Sequence, residues 1–310
     1  MRVLVTGGAG FLGSFVVREL KSSGVAAVVL DVHPPSGGGA ADVPVIQGGI
    51  EDLDFLRRTM EQHAVDRVIH LASFLQFGCA QNPSKAVEVN VQGTVNVLEA
   101  CRRAAVKKVV FASSGAMYGP RTELIEEDSP ILPGVSLYGA TKFVGELLHR
   151  HYRDLYGIPF AALRYGGIYG PGIVHSPGIA DVIKRIESTI SGRDVLVDEV
   201  AAGDRRHFLY VKDAARATVT AVLADDTRHT VFNIAGGPDS YVTFGGLHAI
   251  IKSQHPSAGN AVFRGKGQDR GVIDITRARV ELGFEPRFSL EEGIREDIAF
   301  LTAKGMEANR

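Results

Sequence analysis

The chain opens with Met1-Arg-Val-Leu-Val-Thr-Gly-Gly-Ala-Gly-Phe-Leu-Gly13, in which a short β-branched run leads directly into a glycine-rich loop. Gly7, Gly10 and Gly13 stand between a predicted strand and a predicted helix over residues 11–23. A dinucleotide pyrophosphate requires such a junction, because the backbone must approach it closely at the N-terminus of a helix. The stretch therefore predicts the first strand, loop and helix of a dinucleotide-binding fold.

The first half of the chain alternates β-branched runs with helical patterns, which indicates a parallel sheet with helices on both faces. The predicted strands there are 2–5, 27–31, 43–46, 67–71, 108–112 and 160–165, and the predicted helices are 11–23, 54–62, 84–105 and 138–156. The glycine-rich patch 34–41 and the glycine–proline cluster 166–172 predict loops. The later helices are predicted at 179–191, 211–223, 243–253 and 289–303, and the later strands at 195–200 and 231–235. We expect an α/β fold, a doubly wound parallel sheet (Rossmann) to which strand 231–235 returns, with a smaller C-terminal substrate-binding α/β region.

The composition is that of an ordinary globular protein: of 310 residues, 45% are hydrophobic and 22% charged, and the net charge is -1. No bulk field attracts nucleic acid or an anionic membrane, and no apolar run reaches the roughly 20 residues of a membrane span. Cys79 and Cys101 offer neither a disulfide framework nor a metal-site spacing, so we expect free thiols, no metal and a reducing, cytoplasmic compartment. The strand at residues 2–5 leaves no room for a signal peptide.

Tyr138 and Lys142 are four residues apart in Leu137-Tyr-Gly-Ala-Thr-Lys-Phe143, so on a helix they share one face. A neighbouring ammonium lowers the pKa of a phenol, which otherwise ionises near pH ~10. We expect Tyr138 to take the proton of a secondary alcohol while a nicotinamide cofactor accepts the hydride. The alternative is a surface lysine beside a half-buried tyrosine, because a motif this short often occurs by chance.

Asp31 ends the second predicted strand, 18 residues after Gly13. A carboxylate in this position accepts hydrogen bonds from both ribose hydroxyls and repels a 2′-phosphate, so it selects NAD over NADP. The alternative is a turn residue at the end of a strand. The glycine loop that precedes it favours the cofactor role.

An ordered set of motifs covers nearly the whole chain: Thr6–Gly13, Asp31, His70-Leu-Ala72, Asn90-Val-Gln-Gly-Thr94, Ser113-Ser-Gly-Ala-Met-Tyr-Gly119, Tyr138–Lys142, Leu163-Arg-Tyr165, Tyr169-Gly-Pro-Gly172, Phe208-Leu-Tyr-Val-Lys-Asp213 and Leu282-Gly-Phe-Glu-Pro286. With these motifs the chain resembles the extended short-chain dehydrogenases/reductases of the NAD-dependent epimerase/dehydratase family, and most of all its UDP-glucose 4-epimerases. No single motif is specific, but their combination in this order is.

The resemblance implies a catalytic set of Ser114, Tyr138 and Lys142. Ser114 would orient the substrate oxygen, although a serine after a strand is commonly only a cap, and Lys142 would also bind the nicotinamide ribose. The implied NAD-contacting residues are Gly7, Gly10, Phe11, Leu12, Gly13, Asp31, Val32, Ile50, Leu71, Ala72, Ser73, Asn90, Tyr138 and Lys142. Asn90 would order the active-site backbone beside the nicotinamide.

We divide the chain into an NAD-binding Rossmann domain over 1–165, to which it returns at about 204–236, and a substrate-binding region over 166–203 and 237–310. Members of the family are often dimers through two long helices, which here are 84–105 and 138–156. We therefore expect a homodimer that binds a small-molecule substrate, with neither nucleic acid nor membrane as a partner.

Two departures from the family pattern concern the cofactor and the reaction. The family commonly has an aspartate before Ile50 that contacts the adenine amino group, whereas this chain has Gly49, with Glu51 or Asp52 as substitutes. Sugar dehydratases of the family carry an acidic pair after the catalytic serine or threonine. This chain has glycine and alanine at positions 115 and 116, which argues against dehydration.

Cys79 lies in a predicted loop near the expected position of the sugar. It is either an acid in an inversion of a stereocentre or a bystander thiol. We favour the bystander, because cysteines commonly pack as small apolar residues.

The substrate end depends on local cations, because the net charge of the chain offers no general attraction for a diphosphate. The resemblance implies that Arg206 and Arg264 bind phosphates, with Arg270 as a fallback and solvated arginines as the alternative. Gly167 stands where epimerases usually carry a phosphate-binding asparagine, although its backbone amide can approach a phosphate directly. This difference leaves a smaller substrate without a nucleotide open.

Three hypotheses follow. The leading one is an NAD-dependent epimerase, an isomerase that inverts a sugar hydroxyl carbon, C4 of a UDP-sugar, by transient oxidation to a keto intermediate. The alternative is an oxidoreductase, a net NAD-dependent dehydrogenase of a non-nucleotide sugar, sugar acid or hydroxy acid. A non-catalytic NAD-sensing protein is a third class, against which the set Ser114, Tyr138 and Lys142 speaks.

Overall fold

The computed structural model describes residues 1–33, 43–172, 179–225, 227–266 and 269–308. Its strands are β1 Arg2–Thr6, β2 Ala26–Asp31, β3 Val45–Gln47, β4 Arg67–His70, β5 Lys108–Ser114, β6 Phe160–Tyr165, β7 Gly167–Tyr169, β8 Val195–Val197, β9 Arg205–Tyr210, β10 Val231–Ile234, β11 Tyr241–Thr243 and β12 Ala261–Phe263. Its α-helices are α1 Phe11–Ser22, α2 Leu53–Gln62, α3 Gln76–Gln81, α4 Pro83–Val87, α5 Gly93–Arg103, α6 Leu137–Tyr156, α7 Ile179–Glu187, α8 Val211–Leu223, α9 Phe244–Gln254, α10 Thr276–Leu282 and α11 Leu290–Ala308. The predicted loop 34–41 lies outside the described residues.

Seven parallel strands form the main sheet in the order β10-β6-β5-β4-β1-β2-β3. Side chains alternate across it as the period of a strand requires. Val3 and Val5 join the core that includes α1 and α8, while Leu4 joins the core that includes α2 and α5. The predicted doubly wound α/β fold is therefore confirmed, and β10 returns to the main sheet as predicted.

Two smaller sheets lie outside the main one: β11-β9-β7 and β12-β8. The prediction of a loop over 166–172 is wrong in part, because residues 167–169 form β7, which pairs in parallel with β9. Strand β8 ends at Val197 rather than at 200, and Cys79 lies in helix α3 rather than in a loop. The glycine–proline composition misled at β7, since its pairing partner lies far along the chain.

The predicted helix 84–105 is divided into α4, a π-helical turn over Glu88–Gln92, and α5. A π turn is rare and is frequent at functional sites. Asn90 lies within it and is almost fully buried. The turn therefore directs a polar side chain into the protein at the carboxyl edge of the sheet.

Within the described residues, no helix combines the length and the apolar character that crossing a membrane requires.

Candidate active site

The glycine loop joins β1 to α1 at the point where the sheet order changes direction, with β4 on one side of β1 and β2 on the other. Gly7 has φ +72°, and a Cβ on it would lie 2.7 Å from the backbone nitrogen of Ala72. A Cβ on Gly13 would lie 2.2 Å from the carbonyl oxygen of Gly7. Gly10 is the N-cap of α1 and makes no side-chain cap, so backbone amides remain available to an anion at this helix end. This cradle fits a dinucleotide pyrophosphate.

Asp31 lies at the end of β2, beside the glycine loop. Its carboxylate accepts hydrogen bonds from the backbone N–H of Ala9 at 3.0 Å and from that of His33 at 3.1 Å. Both bonds hold the carboxylate at the rim of the cradle, where the ribose of a dinucleotide is expected. Val32 is half exposed on the same rim.

Gly49, which replaces the aspartate common in the family, is followed by two residues that are held by contacts within the protein. The side chain of Ile50 is 3% exposed and lies in the core, against Gly93. Glu51 forms an ion pair with Lys85 at 3.0 Å, and that interaction lowers the pKa of Glu51 against the effect of its partial burial. The side chain of Ile50 is therefore part of the core, and its backbone carbonyl accepts from Nδ2 of Asn96 at 3.1 Å.

Residues 71–73 follow β4 and border the cradle. The backbone N–H of Leu71 donates to the carbonyl of Thr6 at 3.0 Å, which extends the β1–β4 pairing past the end of the strand. Ser73 donates to Oδ1 of Asn90 at 3.2 Å. The three residues thus lie where the cleft predicted for the cofactor opens.

Asn90 binds both backbone groups of Phe74: its Oδ1 accepts from the N–H at 2.7 Å, and its Nδ2 donates to the carbonyl at 2.9 Å. The same Nδ2 contacts Oγ1 of Thr141 at 3.1 Å, and Thr141 donates to the carbonyl of Tyr138 at 2.8 Å. The amide therefore links the segment after β4 to the first turn of α6. This arrangement agrees with the expected role of Asn90 in ordering backbone.

Ser114, Tyr138 and Lys142 come together at the carboxyl end of β5. Ser114 is the last residue of β5, where its Oγ accepts from the N–H of Ala116 at 3.1 Å and makes a hydrogen bond with the side chain of Tyr138. Helix α6 begins after Ser136, whose side chain caps it, so Tyr138 and Lys142 occupy successive turns. Nζ of Lys142 lies 5.5 Å from the centroid of the Tyr138 ring. The three predicted catalytic side chains are therefore neighbours.

Burial sets the protonation of the two α6 groups. It raises the pKa of Tyr138 to about 12, against the lowering effect of the hydrogen bond with Ser114. It also lowers the pKa of Lys142 to about 7. Loss of hydration is thus the largest effect on the pKa of Tyr138 in the chain by itself, and the lowering of that pKa by Lys142 stays a prediction. A cation bound beside the phenol would act in the opposite direction.

Cys79 is fully buried in α3 next to this group. Its thiol donates to the carbonyl of Phe74 at 3.1 Å, and Nδ2 of Asn90 lies 3.6 Å from its sulfur. Burial raises the pKa of the thiol, although Lys142 opposes the shift. These contacts describe a protonated, packed thiol, as the bystander interpretation expects.

The three arginines predicted for the substrate side differ in burial and in contacts. The guanidinium of Arg206, on β9, lies over the ring of Phe244 at 5.4 Å, and burial together with the charge of Arg270 lowers its pKa to about 10. Arg270 is half-buried and donates to the carbonyl of Gly119. Arg264 is exposed after β12. The structure therefore brings Arg206 together with Arg270, which had been only the fallback.

The glycines at 166 and 167 differ in the space around them. A Cβ on Gly166 would lie 2.7 Å from the carbonyl oxygen of His207, so a side chain is excluded there. A Cβ on Gly167 would meet the ring of Phe208 at an ordinary 3.6 Å. Packing therefore leaves room for a side chain at position 167, and the absence of the family asparagine there has no steric cause.

A buried polar network beneath Ser114 was not found from the sequence. Arg164 donates to Glu146 through Nε at 2.9 Å and through Nη2 at 2.6 Å, and Ser113 donates to the same carboxylate. Nη1 of Arg164 donates to the hydroxyl of Tyr118 at 2.7 Å, which in turn donates to Asn233 at 2.7 Å. The available signal was the spacing of Glu146, four residues after Lys142 on α6.

The comparisons with known proteins agree with this geometry. The model of the NAD dependent epimerase/dehydratase family matches residues 3–235. The UDP-glucose 4-epimerase of Lactobacillus helveticus is 32% identical, over 93% of this chain and 92% of its own length.

Solved structures of similar proteins superpose over nearly the whole chain. The UDP-glucose 4-epimerase of Thermotoga maritima with UDP-glucose has a TM-score of 0.88 at 29% identity, covering 98% of this chain and 99% of its own. That of Thermus thermophilus in complex with NAD has a TM-score of 0.87 at 30% identity, covering 97% and 99%. The glycine cradle, the Ser114–Tyr138–Lys142 group and these matches together show that the chain belongs to the NAD-dependent epimerase/dehydratase family.

Proposed function

We propose that the protein is an NAD-dependent sugar epimerase that inverts C4 of a UDP-sugar. The observation that carries the proposal is the convergence of Ser114, Tyr138 and Lys142 at the carboxyl end of β5, beside the glycine cradle. The relatives named UDP-glucose 4-epimerase support the nucleotide sugar as substrate class.

The cofactor is held, in this proposal, by the cradle and its rim. The residues concerned are Gly7, Gly10, Phe11, Leu12, Gly13, Asp31, Val32, Ile50, Leu71, Ala72, Ser73 and Asn90, together with Tyr138 and Lys142. When bound, NAD supplies an acceptor and a donor of hydride. Asp31 accepts the ribose hydroxyls, and the fit of the glycines to a pyrophosphate supports this assignment.

Tyr138 is the group that moves the proton of the sugar hydroxyl. Its phenol is hydrogen-bonded to Ser114, and in this proposal the hydroxyl of Ser114 binds the same substrate oxygen. Because burial raises the pKa of Tyr138 to about 12, the phenol needs a neighbouring positive charge to act as a base at neutral pH. Lys142, with Nζ 5.5 Å from the ring, provides one when it is protonated.

The diphosphate of the substrate binds at Arg206. Arg270, whose charge acts on Arg206, contributes a second guanidinium, and two such groups close together favour an anion over water. Arg264 and the backbone of Gly167 remain substrate-binding assignments from the family pattern. They lie at the ends of β12 and β7.

The finer organisation is also part of the proposal. Residues 1–165 with 204–236 form the NAD-binding domain, and 166–203 with 237–310 bind the substrate. Val144, Leu147 and Leu155 expose apolar side chains on α6 and make that helix the candidate homodimer surface. The buried free thiols Cys79 and Cys101 are those of a protein kept in the reducing cytoplasm.

The test is to incubate the purified protein with UDP-glucose and with other UDP-sugars, and to follow both C4 inversion and the absorbance of NADH. An epimerase retains its NAD, forms the C4 epimer of one substrate and releases no NADH. Stoichiometric NADH release with a non-nucleotide sugar, sugar acid or hydroxy acid would instead establish the dehydrogenase alternative, to which the missing amide at Gly167 points.

A further inference from the structure

The ammonium of Lys142 is surrounded by aromatic rings rather than by carboxylates. Its Nζ lies 5.1 Å from the centroid of the Phe111 ring and 5.5 Å from that of Tyr138, and the residue is only 3% exposed. Within the described parts of the chain, no carboxylate lies at salt-bridge distance from this nitrogen. Both distances are in the range in which the face of a ring attracts a cation.

The ring of Phe111 is accommodated by a glycine in the middle of α6. A Cβ on Gly145 would lie 2.4 Å from Cζ of Phe111, which is too close for any side chain. Glycine destabilises the interior of a helix relative to alanine, so its presence here requires another reason. The reason is space for the ring, one turn after Lys142.

The other titratable groups facing Lys142 do not replace the ring. They are His70 on β4, Cys79 on α3, and Tyr138 and His149 on α6. Burial lowers the pKa of both histidines, which keeps the imidazoles neutral, and raises the pKa of the thiol, which keeps it protonated, so none of these three is charged at neutral pH. While Tyr138 is protonated, the ammonium of Lys142 is therefore attracted by the faces of the Phe111 and Tyr138 rings.

We propose that Phe111 is a positioning residue for the reaction: its ring face holds the ammonium of Lys142 against Tyr138 and stabilises its charged form, and Gly145 provides the space for the ring. The proposal rests on the proposed function in that Lys142 acts on the base Tyr138. The role of Phe111 toward Lys142 is nevertheless measurable without turnover.

The first test is an NMR titration of the side chain of Lys142 in protein with isotope-labelled lysine, with Lys142→Arg used only to assign the signal. Phe111→Leu keeps an apolar residue in the sheet but removes the ring face. Loss of the cation–π contact should lower the pKa of Lys142 by about half to one and a half pH units. Phe160→Leu is the matched control. The ring of Phe160, on the neighbouring strand β6, packs 5.6 Å from the ring of His149. In the described chain the rings over the ammonium of Lys142 are those of Phe111 and Tyr138.

Gly145→Ala is the second variant, which displaces the ring without removing it. It should shift the pKa of Lys142 in the same direction as Phe111→Leu, and it decides the question if Phe111→Leu does not fold. The proposal is overturned if Phe160→Leu shifts this pKa as much as Phe111→Leu does, or if neither Phe111→Leu nor Gly145→Ala shifts it.

A second measurement uses turnover of the UDP-sugar. In Phe111→Leu the alkaline limb of the kcat profile should move to lower pH by the same amount as the titration, because the charged lysine is lost earlier, while KM should change little. A general loss of packing would lower kcat at every pH and would contradict the proposal. If the protein turned over no UDP-sugar at all, the titration would still decide the role of Phe111 independently.

Discussion

Glu187 and Asp297 hydrogen-bond each other inside the protein, between α7 and α11, with 3% and 2% of their surfaces exposed. Among the described residues, Oε1 of Glu187 and Oδ2 of Asp297 are buried without a hydrogen-bond partner. Burial raises the pKa of each carboxyl, and the charge of Asp297 raises that of Glu187 further, so the two are not both ionised at neutral pH. The pair therefore keeps a proton that the unfolded chain would release.

This pair should make the protein less stable as the pH rises. Groups whose pKa is raised on folding stabilise fully below their unfolded values, here 4.5 and 3.8, and lose this contribution as the pH rises through the folded values. Glu187→Gln supplies a permanent donor to Asp297. The variant should therefore be more stable than wild type toward pH 9. The gain in the free energy of unfolding should be about 1.4 kcal/mol for each tenfold increase in proton affinity on folding that the substitution removes. Urea unfolding at several pH values measures this, and Glu291→Gln, on the exposed face of α11, is the control. Parallel pH profiles for Glu187→Gln and wild type would contradict it.

Arg164→Met should destabilise the protein by about 3–5 kcal/mol, because it leaves the buried carboxylate of Glu146 without its cation. Adding Glu146→Leu should recover part of the loss. Denaturant unfolding of wild type, both single variants and the double variant gives the coupling directly. Additive effects of the two substitutions would show that the ion pair does not act as a unit.

Tyr138→Phe should lower turnover of the UDP-sugar by about 10²–10⁴-fold, the usual contribution of a positioned acid or base. The affinity for NAD should remain nearly unchanged, because the phenol supplies few of the cofactor contacts. Initial rates together with an NAD titration check both halves. More than a tenth of wild-type activity would remove Tyr138 from this role.

Asp31 should make NAD bind at least about tenfold more tightly than NADP, a difference of about 1.4 kcal/mol or more. The reason is repulsion between its carboxylate, held by Ala9 and His33, and a 2′-phosphate. Asp31→Ser should reduce the ratio. Calorimetric titration of both cofactors into cofactor-free protein measures it, and equal affinities in wild type would mean that Asp31 serves the loop alone.

Arg206→Ala should raise KM for a UDP-sugar by about ten- to a hundredfold, since a charge-assisted hydrogen bond contributes roughly 1.5–3 kcal/mol. UDP alone should bind to wild type and bind more weakly to the variant. Arg270→Ala should resemble Arg206→Ala if the pair acts together, and Arg264→Ala tests the assignment from the family pattern. If no nucleoside diphosphate binds to wild type, the substrate is a small unactivated sugar or acid.

The sequence predicted the parts of the fold that depend on local pattern. Strand β6 and helix α8 have the predicted bounds, because an apolar run and an amphipathic period are readable over six and thirteen residues. Strand β7, in a glycine-rich segment, depends instead on pairing with β9 about forty residues later, and nothing local indicates that pairing.

The same difference applies to the site. The glycine loop and the Tyr138–Lys142 spacing are local features, and they predict where the cofactor cleft lies. The polar network of Arg164, the π turn at Asn90 and the partnership of Arg206 with Arg270 join distant segments. The raised pKa of Tyr138 depends on burial, which no spacing along the chain reports.

The late return of β10 to the main sheet also determines how the protein can form. Strand β6 is complete at Tyr165, but its neighbour on the sheet, β10, begins only at Val231. During synthesis the backbone of β6 therefore remains an unpaired sheet edge until β10 is made. Strands of other chains can pair with such an edge and cause aggregation. Asn233 of β10 also completes the network through Tyr118. A fragment cut at the end of β6 would consequently be an aggregation-prone intermediate rather than an isolated nucleotide-binding domain.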